Sequence, residues 1–332
     1  MTHPFTAAWT RRRAFLGAGA LAALPFASHG QQVTANATLE TPPDQASAQL
    51  AAQTDAASHL TVAVRIKGRI LHFVVDTAAE RSVIADNVVQ ALGLMPGAAI
   101  SLNGLAGRMN VATVVAETLE FGPFHRKNVL MPVLPRALLA ADGYLGLDVI
   151  DGTCVTFDFR NSILRIDAPG TLDDSPAGVA ARVRLTGAKG YLRVADCLVD
   201  SVPASAFIDT GAEVSVGNVP LLTALKRRNK YLVESGAMVL TGVTGGEIRA
   251  DVIPVDRIGL QGIAFTHGSL AISDVPDFQT WRLLIHPALL IGMDYLRQFA
   301  RISIDYRAKR VQFELSEAPP RPAPGVEITA AG

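Results

Sequence analysis

Cysteine is scarce in this chain. There are two, Cys154 and Cys197, in 332 residues, too few for a disulfide-stapled scaffold, and no Cys-His spacing suggests a zinc site. Each lies in an apolar, strand-like run. Two buried thiols are therefore expected, with a disulfide as the alternative in an oxidising compartment. Net charge is also missing, since Lys+Arg and Asp+Glu both number 30. No basic patch interleaves with the sparse aromatics, so neither nucleic acid nor an anionic membrane surface is expected as a partner. No apolar run reaches the roughly 20 residues needed to span a bilayer. The seven histidines are scattered, with no His-Glu-x-x-His. No Gly-x-Ser-x-Gly elbow, P-loop or dinucleotide glycine fingerprint occurs in its required context. Metal, nucleotide and serine-hydrolase chemistry thus lack their residues, and no cofactor is expected.

What is abundant is Val, Ile, Leu and Ala, within a hydrophobic content of 49%, as in a strand-rich globular protein. The length suffices for two domains with separate cores. Residues 1–30 read as an export signal: Arg11-Arg12-Arg13 precedes an uncharged run of about 13–14 residues, too short for a permanent anchor. Arg12-Arg13 with Phe15-Leu16 resembles the twin-arginine signal, which implies export of a folded protein from a bacterial cytoplasm to the periplasm or medium. An ordinary secretory signal is the alternative. Residues 31–58 have no apolar period and read as a flexible spacer. Residues 169–181, rich in Pro, Gly and Asp, read as a linker, and 317–332 as a disordered Pro-rich tail. Two bodies remain, 59–168 and 182–316.

These bodies share an order of signals. Phe207-Ile208-Asp209-Thr210-Gly211-Ala212-Glu213-Val214-Ser215 recurs as Phe73-Val74-Val75-Asp76-Thr77-Ala78-Ala79-Glu80-Arg81-Ser82. A carboxylate at the end of an apolar strand is an expensive placement for a charge and usually has a chemical use. After each Asp comes a short helix (Ala85–Leu92 and Pro220–Lys226). A Gly-tipped hairpin follows, with Gly104 and Gly107 in one half, Gly242 and Gly245 in the other. Next comes a Gly-x-Asp element, Gly146-Leu147-Asp148 or Gly292-Met293-Asp294, and then a closing strand pair. Four landmarks in one order at near-equal spacing indicate an internal duplication. Asp148 and Asp294 are expected to cap helix N-termini. Arg160 and Arg307 are expected at exposed turns.

Asp-Thr-Gly-Ala-x-x-Ser after an apolar strand, followed by a Gly-rich hairpin and Ile/Leu-Gly-x-Asp, resembles the retropepsin-type aspartic proteases. The resemblance covers about 60–167 and 182–316; the first copy departs from it in carrying Ala78 for Gly. It implies an all-β fold with short helices, two homologous acid-protease β-barrel lobes related by a pseudo-two-fold axis. It implies that Asp76 and Asp209 share one proton and activate a water for peptide hydrolysis. Thr77 and Thr210 would bond across the axis, and Ala78 and Gly211 would support the dyad. Ala79, Ala212, Glu80 and Glu213 would meet the substrate main chain, although either Glu could pair with a nearby Arg. The hairpins tipped by Gly104/Gly107 and Gly242/Gly245 would be flaps over an extended peptide. The expected partner is a peptide or protein substrate, and the expected state is a monomer, off the membrane once the signal is removed. Two other readings stand beside this one: a peptide-binding module whose chemistry is lost through Ala78, and a dimer in which only second lobes pair.

Overall fold

The computed structural model describes residues 60–105, 107–172, 179–186 and 193–315, together with the short strands Arg13–Leu16, Leu39–Glu40, Ser47–Ala51, Gln53–Thr54 and Glu327–Ala330. Most of the expected signal, spacer and tail, and the middle of the expected linker, lie outside the described residues. Each short strand pairs with a strand of the body. Such pairing uses backbone N–H and C=O groups and requires no apolar period in the sequence.

Each lobe begins with a hairpin. Leu60–Ile66 pairs antiparallel with Arg69–Val75, and Arg193–Val199 pairs with Val202–Ile208. The two-residue turns carry positive φ at both positions, Lys67 (47°) with Gly68 (77°) and Asp200 (44°) with Ser201 (66°). That is the geometry that matches the twist of flanking strands. Alternation then decides which face is inside: Val62, Val64 and Ile66 are buried while Arg65 is exposed.

The second strand of each hairpin leads to the Asp of the repeat and is flanked by a strand from much later in the lobe. Gly143–Leu145 lies parallel to Phe73–Val75 and antiparallel to Val83–Ile84. In the second lobe Ala288–Ile291 is parallel to Ser205–Ile208 and antiparallel to Val216–Gly217. Helices follow at Asp86–Leu92 and Val219–Arg228. The first is closed by Gly93 in the left-handed region (φ 53°), and the second is capped by Asn218, whose side chain accepts from Leu221 N–H. The first Gly-tipped hairpin, which the sequence places over Ile100–Asn110, runs longer, Met95–Gly104 with Gly107–Phe121, and the second joins Gly236–Gly242 with Glu247–Leu260.

A continuous antiparallel sheet joins the lobes. The first lobe's closing pair, Cys154–Asp158 and Ile163–Asp167, abuts the second's, Phe299–Asp305 and Arg310–Leu315. In its central register Thr156 faces Ser303, the two hydroxyls 2.9 Å apart, so equivalent residues meet on the pseudo-two-fold axis. Arg301 bridges Asp158 and Glu314 beside it, at 3.0 Å each. The buried aromatics are Phe73, Phe121 and Phe124 in the first lobe and Phe265, Phe299 and Phe313 in the second, the last two on the interlobe sheet itself. The architecture is thus mostly β, in two duplicated lobes with short helices, as expected from the sequence. Among the described residues no helix is long and apolar enough to cross a membrane.

Both cysteines are buried free thiols, and burial pushes each up to about 12. Arg160 and Arg307 are exposed at turns, as expected.

Candidate active site

The apolar strands ending at Val75 and Ile208 deliver Asp76 and Asp209 to the junction of the lobes, where both are buried. The backbone N–H of each Asp donates to the crossing strand, Asp76 to Leu145 O and Asp209 to Ile291 O, both at 2.9 Å. The chain then turns sharply under each carboxylate. Asp76 Oδ1 accepts from the N–H groups of Ala78 (3.0 Å) and Ala79 (2.9 Å), and Asp209 Oδ1 from those of Gly211 (2.9 Å) and Ala212 (3.1 Å). One oxygen of each carboxylate is thereby fixed by two donors.

The threonines tie the two turns together. Thr77 Oγ1 donates to Ile208 O at 2.8 Å, and Thr210 Oγ1 donates to Val75 O at 2.7 Å. Each hydroxyl also accepts the other's backbone N–H, at 3.2 and 3.1 Å. The result is a closed, buried set of reciprocal bonds across the axis.

Gly211 shows how close the halves come. A Cβ there would stand 2.4 Å from Asp76 Oδ2, so only glycine permits this approach. Its first-lobe counterpart, Ala78, is 2% exposed and does not have positive φ, so its methyl introduces no backbone strain. Burial raises Asp209 well above the ordinary carboxylate range, and the nearby Asp76 and then Asp277 push it further the same way.

Asp148 and Asp294 differ from expectation. The N-caps of their helices are Gly146 and Gly292, with no side-chain cap. The carboxylates instead accept from the last residue of each motif: Ser82 N–H and Oγ donate to Asp148 at 2.8 Å each, Ser215 N–H and Oγ to Asp294 at 3.0 and 2.7 Å. The Ser hydroxyl in turn accepts the N–H of Gly146 or Gly292. These bonds brace the active turn against the Gly-x-Asp crossing. A Cβ at Gly146 would lie within 2.8 Å of the backbone of Ala79 and Arg81, hence the glycine.

Glu80 and Glu213 are half-buried, and their carbonyls accept from Asp148 and Asp294 N–H. The hairpin tips of the two lobes meet each other. A Cβ on Gly104 would strike Thr244, one on Gly242 would touch Leu105 at 3.0 Å, and one on Gly245 would touch Leu138 of the opposite lobe at 3.2 Å. Gly107 has open space around it and φ 114°. Residue 106, at the first tip, lies outside the described residues.

Asp277 was not singled out by its sequence context. It sits in the short helix Pro276–Thr280, is 4% exposed, and interacts electrostatically with both Asp76 and Asp209. In the first lobe the same connection is the shorter one that carries the 3-10 turn Arg136–Leu138. Among the described residues no group of three His, Cys, Asp or Glu side chains is arranged to hold a metal ion.

A family model described as aspartyl protease matches residues 62–149, the stretch running from the first hairpin through Asp76 to the Gly146 crossing. A search of curated proteins found no match.

Proposed function

We propose that the chain, whose residues 62–149 match an aspartyl protease family model, is an exported, single-chain retropepsin-like aspartic endopeptidase whose dyad is Asp76 and Asp209. The observation that carries this reading is the reciprocal Thr77–Thr210 lock with a donor-fixed carboxylate on either side of it. Two adjacent buried carboxyls do not both ionise, so one holds a proton at mildly acidic pH. Burial and its acidic neighbours favour the protonated form at Asp209, and the mechanism is written with that proton on Asp209 and the charge on Asp76.

In this mechanism Asp76 takes a proton from a water lying between the carboxyls, and the water oxygen attacks the scissile carbonyl carbon. Asp209 gives its proton to the carbonyl oxygen, forming a neutral gem-diol. Proton return to the amide nitrogen then accompanies C–N cleavage, and the dyad recovers its single proton. The meeting hairpin tips would cover an extended peptide, bond to its backbone and exclude water. Ala79, Ala212, Glu80 and Glu213 border the strip where that backbone would lie. Duplication supplies both halves in cis, so one chain forms one site. Residues 1–30 serve, in this reading, as the export signal, supported by Arg12-Arg13 ahead of an uncharged run.

Asp209→Asn removes the protonatable partner while keeping the side chain's shape. The expected outcome is loss of peptide cleavage across pH 3–7, with folding retained by circular dichroism and pepstatin-type inhibition seen only in the parent. Turnover by Asp209→Asn in a protease-free preparation would refute the assignment. Ala78 bears on the alternative of a binding module without chemistry: its backbone conformation and intact N–H bond to Asp76 favour the enzyme.

A further inference from the structure

The loop between Ile272 and Ala288 is held rigidly against the Asp209 strand. Trp281 stacks on Phe207, two residues before Asp209, with ring centroids 4.0 Å apart. Asn218 pins the far side, its Nδ2 donating to Leu283 O (2.9 Å) and His286 O (2.8 Å) while Oδ1 accepts Ala288 N–H at 3.0 Å. Around the loop lies a compact apolar cluster that includes Val275, Phe278, Leu283 and the flap residue Leu240, with Leu105 of the other flap packed on it. The loop therefore forms a wall beneath the closed flaps and beside the dyad.

Into this apolar wall the chain sets Asp277. Its Oδ1 is buried without a hydrogen-bond partner, which is costly for an acid unless a ligand completes it. The negative charge of Asp76 raises its pKa, and Asp277 in turn acts on Asp209. The equivalent loop of the first lobe is different in kind. Arg136 there turns its guanidinium to the loop's own carbonyls at Leu139 and Ala140, and Leu138 faces the opposing flap. Only the second-lobe loop sets a buried acid, Asp277, against the dyad.

We propose that Asp277 is a specificity determinant that selects a cationic side chain, lysine or arginine, at one of the two residues flanking the scissile bond. The inference rests on the endopeptidase reading of the same site. A cationic group entering the wall would supply the donor that Oδ1 lacks and let Asp277 ionise beside the charged member of the dyad. Burial and Asp76 hold the Asp277 carboxyl up at about 7. It can therefore stay neutral in the empty cleft and ionise when a cation arrives.

The test uses the full chain and matched fluorogenic peptides differing only at the two flanking residues. Arginine is compared with citrulline, its neutral isostere, and lysine with norleucine. The expected result is that kcat/KM favours the cationic member by about tenfold or more at one of the two positions, and that Asp277→Asn brings the ratio close to one. Equal rates for arginine and citrulline in the parent would overturn the proposal without relying on any variant. So would a preference that survives Asp277→Asn. If the parent cleaves neither set, the endopeptidase reading fails, and calorimetry with statine-type peptides carrying lysine-like or leucine-like side chains decides the inference. Tighter binding of the cationic peptide to the parent but not to Asp277→Asn supports it, and equal binding overturns it.

Discussion

At the scale of single residues, the two halves of the site are alike in hydrogen bonding and unlike in side-chain volume. Gly211 faces Asp76 so closely that a methyl would displace the carboxylate. Gly211→Ala is therefore expected to lower kcat by about 100-fold, because a displacement near 1 Å at the reacting groups has that effect. Ala78→Gly, at a backbone conformation any residue tolerates, is expected mainly to destabilise, by about 0.5–1 kcal/mol through added freedom of the unfolded chain. Steady-state kinetics and thermal melts of the two variants side by side check both outcomes. Asp76 and Asp209 were legible in the sequence because their signal is contiguous: an apolar strand, then Thr and a small residue, stated twice. Asp277 was not, because its importance comes only from where a long loop folds back, and nothing within a few residues of it records that position. Asp148 and Asp294 were noticed and given the wrong partner, since the serines they accept from are 66 and 79 residues away.

At the scale of elements, the site depends on two turns from different lobes being fixed to one another. Thr210→Val keeps the shape of the side chain but removes the hydroxyl that donates to Val75 O and accepts Thr77 N–H. A buried carbonyl and a buried N–H lose partners, so a loss of roughly 1–3 kcal/mol is expected. Activity should fall with it, as the carboxylates lose their common frame; denaturant titration together with kcat measures the two effects. The hairpins and short helices that build this frame were readable from alternation and glycine placement, as at Lys67-Gly68 and Gly93. The extended length of the flap strands was not, because edge strands such as Met95–Gly104 are exposed along much of one face and blur the apolar period. Residues outside the two bodies gave no strand signal, since their pairing is through the backbone alone.

At the scale of the whole molecule, buried acids set the pH response. Burial raises Asp148 and Asp294 to about 6, against the lowering bonds from Ser82 and Ser215, and raises Asp277 to about 7. A carboxyl raised on folding binds its proton more tightly in the native state. Its contribution to stability is complete below the ordinary carboxylate range and is lost as pH rises through 6–7. Asp158 acts in the opposite sense: burial alone would raise it, but bonds from Asn161 and Arg301 outweigh this and lower it. Its contribution is lost as pH falls through its native value. The melting temperature is thus expected to be highest at about pH 4–5 and to decline towards pH 8, measurable by calorimetry at constant ionic strength. A flat profile over pH 5–8 would contradict the burial of these acids.

The interlobe sheet, with Thr156 opposite Ser303, makes both halves of the cleft products of one reading frame. In an assembly of identical subunits every codon change is felt on both sides at once. Here heredity can act on either side alone, and Ala78 opposite Gly211 is a record of that independence. Selection could therefore have reshaped what enters from one end of a bound chain while leaving the other end's requirements intact.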